Sequence, residues 1–157
     1  MPGAFNRPIL FVEDDPSQAK LMMRAFEQAG VTRRIFHATT GEQVLAYVNS
    51  LGQYADRTKF PMPVLVILDL KLPDLPGLQL INAMRSQPGT KRIPVVVFSG
   101  SADDRMIAAA YDAGANSYIP KTGSARQLAE TVAAIVRYWL DVNRVPELPP
   151  PAQRARA

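Results

Sequence analysis

Glu13 and Asp14, the further acid Asp69, the Ser99 hydroxyl and the Lys121 amine are the residues whose types could do chemistry together in this chain. Each stands just past an apolar run. Ile9–Val12 leads into Glu13, Asp14 and Asp15; Val64–Leu68 into Asp69; Val95–Phe98 into Ser99; Asn116–Pro120 into Lys121. A carboxylate held rigidly behind a buried strand can attack phosphorus and form an acyl phosphate, and Asp69 is the candidate nucleophile. That attack brings anion to anion. Glu13 and Asp14 answer it by offering the oxygens that Mg²⁺, a hard octahedral cation, prefers. Lys121 would then pair with a phosphoryl oxygen, and the Ser99 hydroxyl would hydrogen-bond another.

Taken singly, every one of these residues has a plainer reading. Asp14 or Asp15 could cap the helix that Pro16 and Gln18 begin, Asp69 could shape the turn ahead of Pro73, Ser99 could serve its loop, and Lys121 could be a solvated amine whose removal costs the fold little. The conjunction at one end of several strands is what points to a phosphoryl site. His37, Asp74, Asp103 and Asp104 are left to surface or capping roles.

The elements that must position these groups follow from periodicity. Continuous β-rich apolar runs suggest strands buried on both faces, hence a parallel sheet covered by helices, with ligands past the strands' carboxyl ends. Asp15 and Pro16 open a first helix carrying Ala19, Met22, Met23 and Phe26, which Gly30 ends. Arg34–His37 reads as a second strand, and Thr40 with Gln43 as a capping box for a helix facing Val44, Leu45 and Val48 inward. Residues 50–63 form a longer loop. Pro73, Pro76 and Gly77 precede a helix with Leu80, Ile81 and Met84; Pro94–Phe98, Asp103–Ala113 and Asn116–Ile119 read as strand, helix and strand; Ser124 and Gln127 open the last helix. Five β-α units with right-handed crossovers predict a three-layer α/β sandwich of flavodoxin-like form, its sheet ordered 2-1-3-4-5.

The chain has 157 residues, 47% of them apolar and 20% charged, which suits a single soluble domain. With no cysteine and one histidine, His37, it carries neither a disulfide framework, nor a thiolate metal site, nor a histidine triad, and a cytoplasmic setting is expected. No membrane span or signal sequence is expected. The net charge of +4 is spread along the chain without aromatic interleaving, so no direct nucleic-acid contact is expected. Residues 143–157, Pro-rich and holding Arg144, Arg154 and Arg156 against Glu147, read as a basic tail after a domain at 7–142.

ILFVEDDP at 9–16, LVILDLKLPDLPG at 65–77, PVVVFSG at 94–100 and GANSYIPK at 114–121 resemble, in order and spacing, the motifs of the receiver domains of two-component response regulators. The resemblance implies Glu13 and Asp14 as the acidic pair, Asp69 as phospho-acceptor, Ser99 as switch hydroxyl, Tyr118 as switch aromatic, Lys121 as the lysine of the site, and the Lys71 carbonyl as a backbone ligand to Mg²⁺. It further implies a sensor histidine kinase as phosphoryl donor and a rearranged surface once Asp69 is modified. Two residues depart from the pattern. Thr122 stands where the family usually has proline, often after a cis peptide, and the acidic pair is Glu-Asp. The VEDDP start, the 50–63 loop and the last helix ending RYWLDVN resemble the small stand-alone regulators paired with phytochrome-type kinases. For the last helix, Val136, Trp139 and Leu140 are expected to extend beyond the sheet's cover, with Trp139 exposed in a homodimer contact.

Two other readings compete. A haloacid-dehalogenase-like phosphatase would also use Asp69 as nucleophile but needs an acid two residues on, where Lys71 stands. A receiver-like scaffold could signal by protein contacts without phosphorylation.

Overall fold

A computed structural model describes residues 7–121 and 123–147. Five short strands, β1 (Ile9–Val12), β2 (Ile35–Ala38), β3 (Leu65–Leu68), β4 (Val95–Ser99) and β5 (Ser117–Pro120), form one parallel sheet in the order β2-β1-β3-β4-β5. Five helices connect and cover them: α1 (Pro16–Gln28), α2 (Gly41–Val48), α3 (Gly77–Arg85), α4 (Asp104–Ala113) and α5 (Ala125–Val136). This is the flavodoxin-like order expected from the sequence.

Because side chains alternate across a strand, each central strand feeds two cores. Leu10, Val12, Val66, Leu68, Val95 and Val97 pack with Val44, Leu80, Ile81 and Met84 on one face. Ile9, Phe11, Leu65, Ile67, Val96 and Phe98 pack on the other with Met22, Phe26, Val132 and Ile135 of α1 and α5. Strands apolar on both faces must be covered on both faces. The sheet thus sits between helix layers, and all its carboxyl ends point one way.

Local chemistry sets the helix starts. Asp15 Oδ1 accepts from the amides of Ser17 and Gln18, at 2.8 and 3.2 Å, with Pro16 in the first turn. Ser124 and Gln127 make the full reciprocal capping box of α5. At α2 the box is offset: Thr40 accepts from Gln43 N–H, but the Gln43 side chain accepts from Thr39 rather than from Thr40. The 50–63 loop is an aromatic satellite in which Tyr47, Tyr54, Phe60 and Phe36 cluster, and the Arg57 guanidinium donates to the carbonyls of Tyr47, Val48 and Phe60.

The last helix differs from the expectation. Its α-helical ladder ends at Val136 and continues as a π-helical turn over Arg137–Val142. Val136, Trp139 and Leu140 fold back as partly buried residues against the core shared with α1, so Trp139 is not exposed; Tyr138 and Val142 are, at 51% and 60%. Trp139 lies four residues after Ile135 and seven after Val132, on the same buried face of the helix, and that face continues past the sheet onto the core shared with α1. Val145, within the segment read as tail, also packs there, and residues 148–157 lie outside the described residues. No helix among the described residues is long and apolar enough to cross a membrane.

Gly77 makes a sharp test of this packing. It opens α3 directly after the loop from β3, and a Cβ there would lie 2.6 Å from the Leu70 Cα, a backbone atom with nowhere to move. We expect Gly77→Ala to destabilise the protein by about 1–3 kcal/mol in urea unfolding, the usual cost of overpacking. An unchanged midpoint would contradict the tight loop-to-helix approach.

Candidate functional site

The strands deliver their polar followers to one place. Glu13 follows β1 and is buried, its backbone fixed by an N–H bond to the Ala38 carbonyl and by a carbonyl contact to His37 Nε2 at 2.7 Å. Asp69 follows β3, also buried, with its amide on the Val12 carbonyl. Lys121 follows β5, its amide on the Ser99 carbonyl at 2.6 Å. These ladder bonds continue the sheet by one residue past its ends and fix where each side chain begins.

The Lys121 amine lies 2.8 Å from Asp69 Oδ2, 3.1 Å from Glu13 Oε2 and 2.7 Å from Gln18 Oε1. It is therefore no solvated amine: its side chain is 20% exposed, and it bridges two buried acids. Glu13, the exposed Asp14 and Asp69 each offer a carboxylate oxygen, all within 4.8 Å of one another. Asp69 Oδ1 accepts from Lys71 N–H at 3.0 Å, which folds the following loop back on the acid. The Lys71 carbonyl accepts from no donor among the described residues.

Burial and the neighbouring Asp69 carboxylate push the Glu13 carboxyl up to about 8. Burial opposes charge on Asp69 as well, but hydrogen bonds from Glu13, Lys121 and Lys71 N–H more than offset it and hold its pKa below the usual carboxylate range. The two shifts run in opposite directions, so the environment favours charge on Asp69 over charge on Glu13.

Ser99 and Tyr118 lie one step away. The buried Ser99 Oγ accepts from Ser101 N–H at 3.3 Å and makes no bond to the acids. The half-buried Tyr118 donates its hydroxyl to the Ser101 carbonyl at 2.7 Å. Both residues therefore hold Ser101 in the loop between β4 and α4, one at its N–H and the other at its carbonyl. The peptide after Lys121 involves Thr122, outside the described residues, so the expected question of its cis form has no structural counterpart.

Two polar contacts escaped the sequence reading. Gln18 read as part of a helix start, and only the packing of α1 beside the end of β5 brings its amide oxygen to Lys121. Asp74, left to a surface or capping role, does cap a helix, but the sequence-distant α2, accepting from Gly41 and Glu42 N–H at 2.9 Å each. No local pattern signals either contact. Asp103, assigned to capping, does cap α4.

The chain belongs to the response regulator receiver domain family, whose model matches residues 9–133. Phosphorylation on an aspartate is that family's general function, and its members are signalling proteins that bind a divalent metal at an acidic pocket. Among its relatives, the probable methanogenesis regulatory protein FilR2 of Methanothrix harundinacea is 38% identical over 138 residues, 88% of this chain and 86% of that protein. Response regulator Rcp1 of Synechocystis is 28% identical over 138 residues, 88% of this chain and 92% of Rcp1. The Mn²⁺-bound structure of Rcp1 superposes with a TM-score of 0.79, covering 90% of this chain and 99% of that one. The phosphorylated cyanobacterial phytochrome response regulator RcpA gives 0.82 at 32% identity, again over 90% and 99%.

Three carboxylate oxygens so close together fit a hard divalent cation, and the proton on Glu13 must leave before that carboxylate can bind one. Since the folded pKa of Glu13 is raised to about 8, Mg²⁺ affinity should climb roughly tenfold per pH unit below that value and level off above it. The metal-free fold follows the opposite sign: stabilisation from the raised Glu13 pKa is complete below its unfolded value and lost as pH rises through about 8. Calorimetric Mg²⁺ titrations across this range check both the slope and the released proton; affinity flat from pH 6 to 8 would count against it.

The lysine gives a second expectation. Lys121→Met leaves the two buried acids without their cation, so the metal-free protein should lose about 1–3 kcal/mol at neutral pH, and Mg²⁺ should restore most of it. Thermal unfolding with and without Mg²⁺ measures this. A variant as stable as wild type without metal would show the amine to be dispensable.

Proposed function

We propose that Asp69 accepts a phosphoryl group from a phosphohistidine of a sensor histidine kinase, and that the modified protein changes which partner it binds. The observation that carries this reading is the Lys121 amine on Asp69 Oδ2, 2.8 Å away, inside a cluster of acids. Mg²⁺ would be held by Glu13, Asp14, Asp69 and the Lys71 carbonyl, and when bound it supplies charge neutralisation for an anionic donor. The ionised Asp69 oxygen forms the new O–P bond as the donor's P–N bond breaks, the imidazole keeping the electron pair. Lys121 follows the phosphoryl oxygens, and Ser99 turns its hydroxyl toward them. Hydrolysis at the same site resets the protein.

Ser99 cannot turn without releasing Ser101 N–H, while Tyr118 holds the same residue by its carbonyl. In this reading Ser99 and Tyr118 are coupled through Ser101, and the element they bias is α4, which fully buries Ala110 and no other residue. A helix seated so lightly can shift at small cost.

A groove of about 920 Å³ between α1 and α5, bordered by Gln18, Leu21 and Leu128 and reaching Asp69 and Lys121, gives a histidine-bearing helix a path to the acceptor. Leu21 is 46% exposed there, an apolar contact in waiting. Likeness to the phytochrome response regulator RcpA supports a phytochrome-type kinase as the donor. The domain doing this work spans residues 7–142, in a cytoplasmic setting.

Incubation with acetyl phosphate and Mg²⁺ should add one labile phosphoryl group, located at Asp69 by mass spectrometry. Label persisting in Asp69→Asn, or forming equally in excess chelator, would overturn the reading. Rapid turnover of the donor would favour a phosphatase, and no labelling a phosphorylation-independent scaffold.

We also propose a two-fold homodimer through the last helix. With Trp139 folded back, the exposed Tyr138 and Val142 of the π turn are the residues that support it. Light scattering should give a dimer mass for wild type and a lower mass for Tyr138→Glu; a monomeric wild type at micromolar concentration would refute the contact.

A further inference from the structure

Residues 70–76 carry the chain from the acceptor Asp69 to α3, and Lys71, Pro73, Asp74 and Pro76 are exposed along it. Such a loop should be loose, yet the Lys71 peptide has to be held still if its carbonyl is to bind a cation. Its own hydrogen bonds do not reach the rest of the protein: Lys71 N–H turns back to Asp69, and Gly77 N–H to the Leu70 carbonyl. Among the described residues, the polar bonds that tie positions 71–75 to another element are the two made by Asp74. One carboxylate oxygen accepts from Gly41 N–H and the other from Glu42 N–H, each at 2.9 Å.

Both donors belong to the first turn of α2, where amides lack partners in the helix and carry its positive end. The approach is close. A Cβ at Gly41 would lie 2.8 Å from the Leu75 Cβ, so glycine lets the helix start and the loop touch. The helix already has its own cap in Thr40, which accepts from Gln43 N–H. Asp74 is thus a second, long-range cap that α2 does not need for its first turn to form. What it adds is an anchor for the loop.

We infer that Asp74 is a positioning residue for divalent-cation binding: by clamping the loop to the first turn of α2 it fixes the Lys71 peptide beside the acid cluster. This rests on the reading of Glu13, Asp14, Asp69 and the Lys71 carbonyl as the metal site. Asp74 touches neither cation nor phosphoryl group. It acts through a backbone carbonyl that no side-chain substitution at Lys71 can remove.

The pair Asp74→Ala and Thr40→Ala separates positioning from stability, since both remove a cap of α2 and only the first releases the loop. Mg²⁺ titrations of the unphosphorylated proteins, followed by NMR at the amides of Glu13, Asp14 and Asp69, should show affinity about tenfold weaker in Asp74→Ala, as for loss of an outer support to a metal site. Thr40→Ala should bind within twofold of wild type while its melting temperature falls at least as far. The heteronuclear NOE of Lys71 and Leu72 should drop in Asp74→Ala alone. Wild-type affinity in Asp74→Ala, or an equal loss in Thr40→Ala, would overturn the inference while leaving the metal site standing. A wild-type protein that binds no Mg²⁺ would overturn both.

Discussion

The Lys121 amine between Asp69 and Glu13 is the interaction on which the rest of the structure turns. Two buried carboxylates this close cannot both ionise without a cation, and the fold supplies one from the far end of the sheet's last strand. The parallel order makes this possible, because every strand presents its carboxyl end to the same edge. The protein's chemistry is then a matter of which cations face those acids. In the metal-free state the amine faces both acids, and burial beside Asp69 raises the Glu13 pKa, so a divalent ion would compete with a proton there.

Much of this was legible in the chain. Apolar runs ending in Glu13, Asp69, Ser99 and Lys121 reported the strands, and the convergence of Glu13, Asp69 and Lys121, because a strand buried on both faces needs no polar residue until it emerges. The caps at Asp15, Ser124 and Asp103 were equally readable, being local. What escaped was non-local or a matter of degree. Nothing near Lys121 in sequence says that Gln18, more than 100 residues away, meets its amine. Nothing near Asp74 says that its acceptors face α2. The end of α5 misled for another reason: the sheet alone does not reach Trp139, and the cover comes from the core that α5 shares with α1, a contact between elements far apart in sequence.

The loops around the acids divide into held and loosely held parts. The loop after β3 is clamped by Asp74 at its middle and by the Gly77 amide at its end, beside a helix whose start admits no Cβ. The loop after β4 is held at one residue, Ser101, by Ser99 and Tyr118 together. It leads to a helix with a single fully buried residue. An acidic cluster with a clamped loop beside a lightly seated helix suits the proposed phosphoryl switch, in which charge at one would move the other. The Arg85 guanidinium, on the carbonyls of Gly114 and Ile93 and on Asn116, pins the far end of α4 and leaves its start freer to shift.

Beryllofluoride, which mimics a phosphoryl group on a carboxylate, tests whether these residues form one charge-balanced acceptor. Fluorine NMR of the wild-type protein with beryllium, fluoride and Mg²⁺ should show a protein-bound signal that disappears in Asp69→Asn and on chelation of Mg²⁺, and weakens in Lys121→Met. A bound signal of wild-type intensity in Asp69→Asn, or without divalent metal, would contradict the account.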